Sequence, residues 1–221
     1  MQSAWITSVS VGRGQPVSWA TRLPETAIDK RPVTSAVWAG ELGLAGDDQA
    51  DKVNHGGPEQ AIYVYAREDL DWWGARLGRV LRDGMFGENV TSTGLDVTGA
   101  LIGEVWQLGG AVVQVTSPRI PCVMFRNWMD QPGWMRSFRE GGRPGAYLRV
   151  LTPGLIQAGD PVAVLDRPAG SVSVAAAMEA FFTRDIATFR QILAVPGHSS
   201  RYEPILADWL DDARSPQSAA H

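Results

Sequence analysis

The 221 residues predict a mainly β chain: a closed barrel or sandwich followed by a small helical appendage. Three observations carry that expectation. Up to about residue 168 the apolar residues come in short runs, rich in β-branched and aromatic side chains and bounded by Gly or Pro. Gly109-Gly110 separates two such runs with the spacing of a tight hairpin, because both glycines reach positive φ without strain. After Asp166-Arg167-Pro168 the pattern changes to helical periodicity.

The elements follow in order. "AWITSVSV" (4–11), "TSAVWAG" (34–40) and "AIYVYA" (61–66) read as strands. One helix interrupts them: in "REDLDWWGARLGRVL" (67–81), Leu70, Trp73, Leu77 and Val80 share a helical face. "EVWQL" (104–108) and "AVVQVT" (111–116) flank the two glycines. "AYLRVL" (146–151) and "PVAVLD" (161–166) close the series, joined by "TPGLIQAGD". Many short strands with regular turns favour a barrel or sandwich. Three short helices follow, in "SVSVAAAMEAFFT", "RDIATFRQILA" and "SSRYEPILADWLDDA". Their apolar stripes are Val174, Ala177, Met178 and Phe181; Ile186, Phe189 and Leu193; Ile205, Leu206, Trp209 and Leu210. The expected division is a strand-rich barrel or sandwich domain over 1–168, a three-helix subdomain over 169–214 and a frayed tail over 215–221.

Composition narrows the function classes. A net charge of −4 lacks the basic surplus of a nucleic-acid binder, and the helical trio itself carries four arginines against six carboxylates. A single cysteine excludes an internal disulfide, an all-thiolate zinc site and an iron–sulfur cluster held by the chain alone. The N-terminal stretch alternates apolar and polar residues, unlike a signal peptide, and no apolar run reaches the roughly 18 residues of a membrane span. A soluble, cytoplasmic protein is expected. P-loop, dinucleotide fingerprint, H-E-x-x-H and nucleophile elbow are all missing.

Four stretches could carry chemistry. In "GLAGDDQADKVNHGGPEQA" (43–61), His55 precedes Gly56, Gly57 and a proline, a backbone that can bend tightly and aim N–H groups at an anion. A plain Gly-rich turn fits the same residues. Asp47, Asp48 and Asp51 lack calcium-loop spacing and read as a solvated turn. In "GMFGENVTSTGL" (84–95), Asn89 offers a donor and an acceptor together, for a heterocycle edge or a turn cap. "VTSPRIPCVMF" (115–125) sets Cys122 behind Pro121, with Pro118 and Arg119 upstream. A lone free cysteine is commonly a small buried hydrophobe, but thiolate chemistry is the alternative. "FREGGRPGAYLRV" (138–150) places Arg139 and Arg143 in a Gly-rich loop, where a guanidinium fork suits phosphate.

"GDDQADKVNHGGPEQAIYVYA", "GMFGENVTSTGL" and "SPRIPC", in that order, resemble the MOSC family, named for the C-terminal domain of molybdenum cofactor sulfurase. The likeness covers roughly residues 1 to 166, and the trailing helices are similar to the appendage of its bacterial subgroup that includes the 6-N-hydroxylaminopurine resistance protein. The resemblance implies a β-barrel like that of pyruvate kinase and a molybdenum cofactor (Mo-molybdopterin). It places Cys122 as metal ligand and catalytic residue, or as a sulfur carrier. It also implies a cofactor pocket of His55, Gly56, Gly57 and Asn89, with Lys52, Arg119 and Arg143 toward the terminal phosphate. Arg119 and Arg126 are local candidates for a field that favours the thiolate. Relatives often carry a polar residue where this chain has Met124.

The activity so implied is reduction of small N-hydroxylated compounds such as 6-hydroxylaminopurine. With no thiols for an iron–sulfur relay and no flavin fingerprint, electrons would come from a separate redox partner protein, a flavin or iron–sulfur reductase. A sulfur-carrier module with a Cys122 persulfide is the main alternative. A Cys122–His55 thiol hydrolase and a cofactor-free binding protein stand behind it.

Overall fold

The computed structural model describes residues 3–19, 25–49 and 56–214. In chain order the strands are β1 (Ala4–Val11), β2 (Gln15–Pro16), β3 (Glu25–Thr26), β4 (Arg31–Pro32), β5 (Val37–Gly40), β6 (Gly43–Leu44), β7 (Ile62–Ala66), β8 (Val90–Thr93), β9 (Val105–Leu108), β10 (Ala111–Pro118), β11 (Ala146–Thr152), β12 (Gly154–Ile156) and β13 (Pro161–Asp166). The helices are α1 (Arg67–Leu77), α2 (Val123–Met129), α3 (Trp134–Gly141), α4 (Val174–Thr183), α5 (Ile186–Leu193) and α6 (Tyr202–Arg214), with a 3-10 turn over Pro58–Gln60.

Seven strands close into a barrel in the order β1-β8-β7-β11-β10-β9-β13. Closure is made by β13 pairing back onto β1 through Ala4↔Val162 and Trp5↔Pro161. The sheet is mixed, because β7 and β8 run parallel while the other barrel neighbours are antiparallel. A parallel pair cannot be joined by a hairpin, and α1 supplies the required crossover. As the two glycines predict, β9 and β10 form a tight hairpin, with Ala111 opposite Leu108 and Gly109 at φ 53°.

Side-chain alternation divides β7 between two cores. Ile62 and Val64 point into an aliphatic barrel interior with Val113, Val115 and Leu148. Tyr63 and Tyr65 point outward, yet they are also buried, because α1, α2 and α3 cover them. An aromatic cluster results: Phe86 lies within 6.4 Å, centroid to centroid, of Tyr65, Trp73, Phe125, Trp134 and Phe138.

The helical trio packs onto the barrel. Val174, Ala177, Phe189, Ile192 and Leu206 belong to the same apolar cluster as the barrel interior. Ser173 caps α4 by accepting from the Ala176 N–H, and Asp185 caps α5 by accepting from Ala187 and Thr188. No helix among the described residues is long and apolar enough to cross a membrane.

Two expectations are corrected. The helix predicted over 67–81 ends at Leu77, because Gly78 takes the left-handed conformation at φ 64° and bonds back to the Gly74 carbonyl. Val80, placed on the apolar face, is therefore 97% exposed. The second correction is an omission. The segment after Cys122 forms α2 and α3, whose pairs Phe125/Met129 and Trp134/Phe138 stand one helical turn apart.

Candidate functional site

Cys122 stands where β10 has ended and α2 begins. Pro118 closes the strand, and Cys122 takes extended backbone (φ −119°, ψ 170°) as the residue before the helix. Its side chain is half-buried against the edge of the aromatic cluster, neither sealed in the core nor fully exposed.

Arg119 lies beneath it. This arginine is only 5% exposed; its guanidinium carbon sits 4.1 Å from the Phe125 ring centroid and 5.2 Å from that of Tyr63, and one Nη donates to the Phe86 carbonyl at 2.7 Å. Its Nε has no hydrogen-bond partner among the described residues. None of the ion pairs among those residues includes Arg119. Burial works against its charge, but the phenols of Tyr147 and Tyr63 and the Cys122 thiol outweigh that and push its pKa up. Arg119, with no carboxylate partner among the described residues, is therefore a local positive charge coupled to the Cys122 sulfur. Arg126, the other candidate for that role, is exposed and donates to Asn127.

The "GMFGEN" stretch builds the floor. Gly84 and Gly87 take positive φ (75° and 76°), and a Cβ on Gly84 would come within 2.5 Å of the Lys30 carbonyl. Between these two turns the Glu88 carboxylate accepts from the N–H groups of Gly84 (2.6 Å) and Phe86 (2.8 Å), which fixes the loop around it. Phe86 is thereby held in the aromatic cluster, with its carbonyl toward Arg119. Burial pushes the Glu88 carboxyl up to about 7, although the N–H groups and the Thr91 hydroxyl pull the other way.

A second buried network lies beside this loop. Lys30, 8% exposed, pairs with Asp47, whose side chain is 3% exposed. Asp47 also accepts from the Gly12 N–H at 2.7 Å and from Asn89 Nδ2 at 2.8 Å. Burial lowers the Lys30 pKa; Asp47 opposes this and the nearby Arg119 adds to it. The reading of Asp47 as a solvated turn residue is thus corrected. The charge count of the turn gave no sign of a lysine seventeen positions earlier folding onto it.

The sequence-predicted residues divide as follows. Cys122 and Arg119 are brought together. Asn89 is committed to holding the fold: its Oδ1 accepts from the Tyr63 N–H and its Nδ2 donates to Asp47 and Ser10. The Gly57 N–H, expected to face an anion, donates to Gln49 Oε1 at 3.1 Å, and Gly56 is packed against the same side chain. Arg143 pairs with Asp69 and lies over the Trp72 ring at 4.6 Å. Lys52 and His55 lie outside the described residues.

Sequence reasoning missed Glu59 and Gln60 in the same glycine-rich motif. Glu59 accepts from Ser199 Oγ at 2.7 Å, the Ser200 N–H and Arg149, and clamps the 3-10 turn to the loop that leads into α6. Burial raises its pKa, but these donors prevail and hold it below the ordinary carboxylate value. Their one available signal was position, directly after the Gly-Gly-Pro turn.

Residues 51–163 match the family model described as "MOSC domain". The chain belongs to the MOSC domain family. Among MOSC relatives, "Uncharacterized protein YflK" of Bacillus subtilis (strain 168) is 38% identical over 169 residues, 76% of this chain and 76% of its own length. A protein named "Reductase" from Gibberella moniliformis (strain M3125 / FGSC 7600) is 32% identical over 147 residues, 65% of this chain but 26% of its own length. The crystal structure of YiiM from Geobacillus stearothermophilus superposes with a TM-score of 0.78 at 30% identity, covering 94% of this chain and 99% of that one. This MOSC chain therefore shares the YiiM architecture over both the barrel and the helical trio.

Proposed function

We propose that the Cys122 site holds a molybdenum cofactor and that the protein reduces small N-hydroxylated compounds. The observation that carries this reading is the half-buried thiol beside a buried arginine that has no carboxylate partner among the described residues. Such a pair suits an anionic, sulfur-ligated group. Molybdenum in a dithiolene accepts a further soft thiolate, and negative charge on the cofactor would answer the unpaired guanidinium. Among the described residues no cluster of three or more His, Cys, Asp or Glu side chains could hold a metal, and a dithiolene cofactor carries sulfur ligands of its own. The residues present fit the cofactor in this sense.

When bound, the cofactor supplies a two-electron redox centre competent to remove oxygen from an N–O bond. The protein's own part is narrower. Cys122 would provide the thiolate ligand, with its direction set by the Pro118–Pro121 backbone. Arg119 holds countercharge, and the Glu88 loop and aromatic cluster fix Arg119 in place. Lys52 and His55 are proposed to complete the anion site. Reducing a hydroxylamine to an amine consumes two electrons and two protons and releases water. The electrons are proposed to come from a separate flavin or iron–sulfur reductase, and the relative named "Reductase" supports an oxidoreductase role.

The test is elemental and pterin analysis of protein made in molybdate-replete, cofactor-competent cells. Wild-type protein should retain molybdenum near stoichiometry, and Cys122→Ser should lose it with an unchanged melting temperature. Equal molybdenum in both proteins sinks the proposal. A persulfide on Cys122 with no metal would instead assign it to sulfur transfer.

A further inference from the structure

A cavity of about 200 Å³ lies between the barrel wall and the helical trio. Its barrel side is formed by the end of β10 and by Tyr147 of β11, its other side by Phe181 of α4 and by Ile205 of α6. It adjoins the thiol: Ile120 lines it two residues before Cys122, and the Tyr147 phenol is within electrostatic reach of both Cys122 and Arg119.

Three of its lining groups are unusual. Gln60 Oε1, Ser117 Oγ and the Tyr202 hydroxyl are buried without a hydrogen-bond partner among the described residues. The three side chains come from three different segments, in residues at most 9% exposed. Leaving a buried polar atom unpaired is costly, so three around one space mark a place built for a ligand. The geometry is also actively held. The Glu59 clamp on Ser199 and Ser200 fixes both Gln60, next to it in sequence, and Tyr202, at the start of α6.

We infer that this cavity binds a neutral aromatic molecule of one or two rings that carries an N–H donor. An apolar cavity of about 150 Å³ suffices for benzene, so this one, about a third larger, has room for a substituted ring or a small fused pair. Tyr147, Ile120, Phe181 and Ile205 supply apolar walls. Gln60 Oε1 is an acceptor and requires a donor, whereas the two hydroxyls can turn to donate or accept. No carboxylate lines the space among the described residues, so a cation would find no countercharge in its wall. Because Pro118 and Ile120, on the turn that carries Cys122, form part of its wall, its ligand is the organic part of the substrate, and Gln60, Ser117 and Tyr202 determine specificity. Only this last step rests on the function proposed above.

The experiment is calorimetric or NMR titration of the full-length protein, with and without molybdenum, using benzamide as the probe. A saturable dissociation constant of about 1 mM or tighter is expected for a ligand of this size. Methyl benzoate, of similar shape but without N–H, should bind about ten-fold more weakly, as should benzamide to Gln60→Leu. Ile205→Trp fills the space and should abolish binding while the protein stays folded. The inference is overturned by unsaturable benzamide binding, by equal affinity for methyl benzoate, or by wild-type affinity in Gln60→Leu or in folded Ile205→Trp. It is overturned as well if loading with cofactor excludes benzamide, since the cavity then belongs to the cofactor. Benzamide binding without molybdenum retention would sink the earlier reading and the substrate step that rests on it but leave the binding site standing, and retention without benzamide binding would sink this inference alone.

Discussion

The two faces of β7 and β11 meet different surroundings. Inward, Ile62, Val64, Ala146 and Leu148 fill a barrel with aliphatic side chains from neighbouring strands. Outward, Tyr63, Tyr65 and Tyr147 join Phe86, Phe125, Trp134 and Phe138, drawn from loops and helices far apart in the chain. The aliphatic side packs apolar strand residues against one another. The aromatic side buries an arginine, holds a loop around a carboxylate and ends at the thiol. If the proposed cofactor sits at Cys122, one sheet separates stability from chemistry, and substitutions on its two faces should fail differently.

The largest contrast is between Phe86→Ala and Leu148→Ala. Phe86 is fully buried among five rings, and its removal should destabilise the protein by about 3–5 kcal/mol. It should also cost molybdenum per folded molecule, because the Arg119 support is lost. Leu148→Ala should cost about 2–5 kcal/mol but leave molybdenum per folded molecule unchanged. Denaturant titration and metal analysis of the same samples check both; parallel loss of metal in the two variants would erase the distinction.

Glu88 comes next. Its folded pKa of about 7 lies above the ordinary carboxylate value of 4.5, so the folded state binds the proton more tightly than the unfolded one. Between about pH 4.5 and pH 7, then, stability falls as pH rises, by up to about 3 kcal/mol. Glu88→Gln should flatten that slope. A wild-type protein gaining stability from this group across the same window would have the sign wrong. The smallest effect belongs to Val80→Ser. With Val80 outside α1 and exposed, the change should stay within about 0.5 kcal/mol, measured by thermal unfolding.

Legibility followed the same division. Alternating strands, the Gly109-Gly110 hairpin and the three terminal helices were readable, because each is a local pattern repeated along one segment. Helices α2 and α3 were not. Each is seven or eight residues with two buried apolar positions, too short for periodicity to separate from a strand or loop. At the site, Cys122 and Arg119 stood out as a rare residue and its near neighbour. Glu88, Lys30 and Asp47 did not, since a charged residue ordinarily faces water. Asn89 and Arg143 were visible as polar groups, but their partners Tyr63, Asp47 and Asp69 come from other segments.

By itself the sequence determined a strand-rich domain, barrel or sandwich, a helical trio and a lone thiol in a proline-stiffened turn. These depend on side-chain period and backbone restriction, which act over a few residues. Only the tertiary structure decided which charges lost water, which carboxylate closed around a loop, and that Gln60, Ser117 and Tyr202 surround one space. Desolvation and hydrogen-bond satisfaction depend on groups that meet only after the chain has closed on itself.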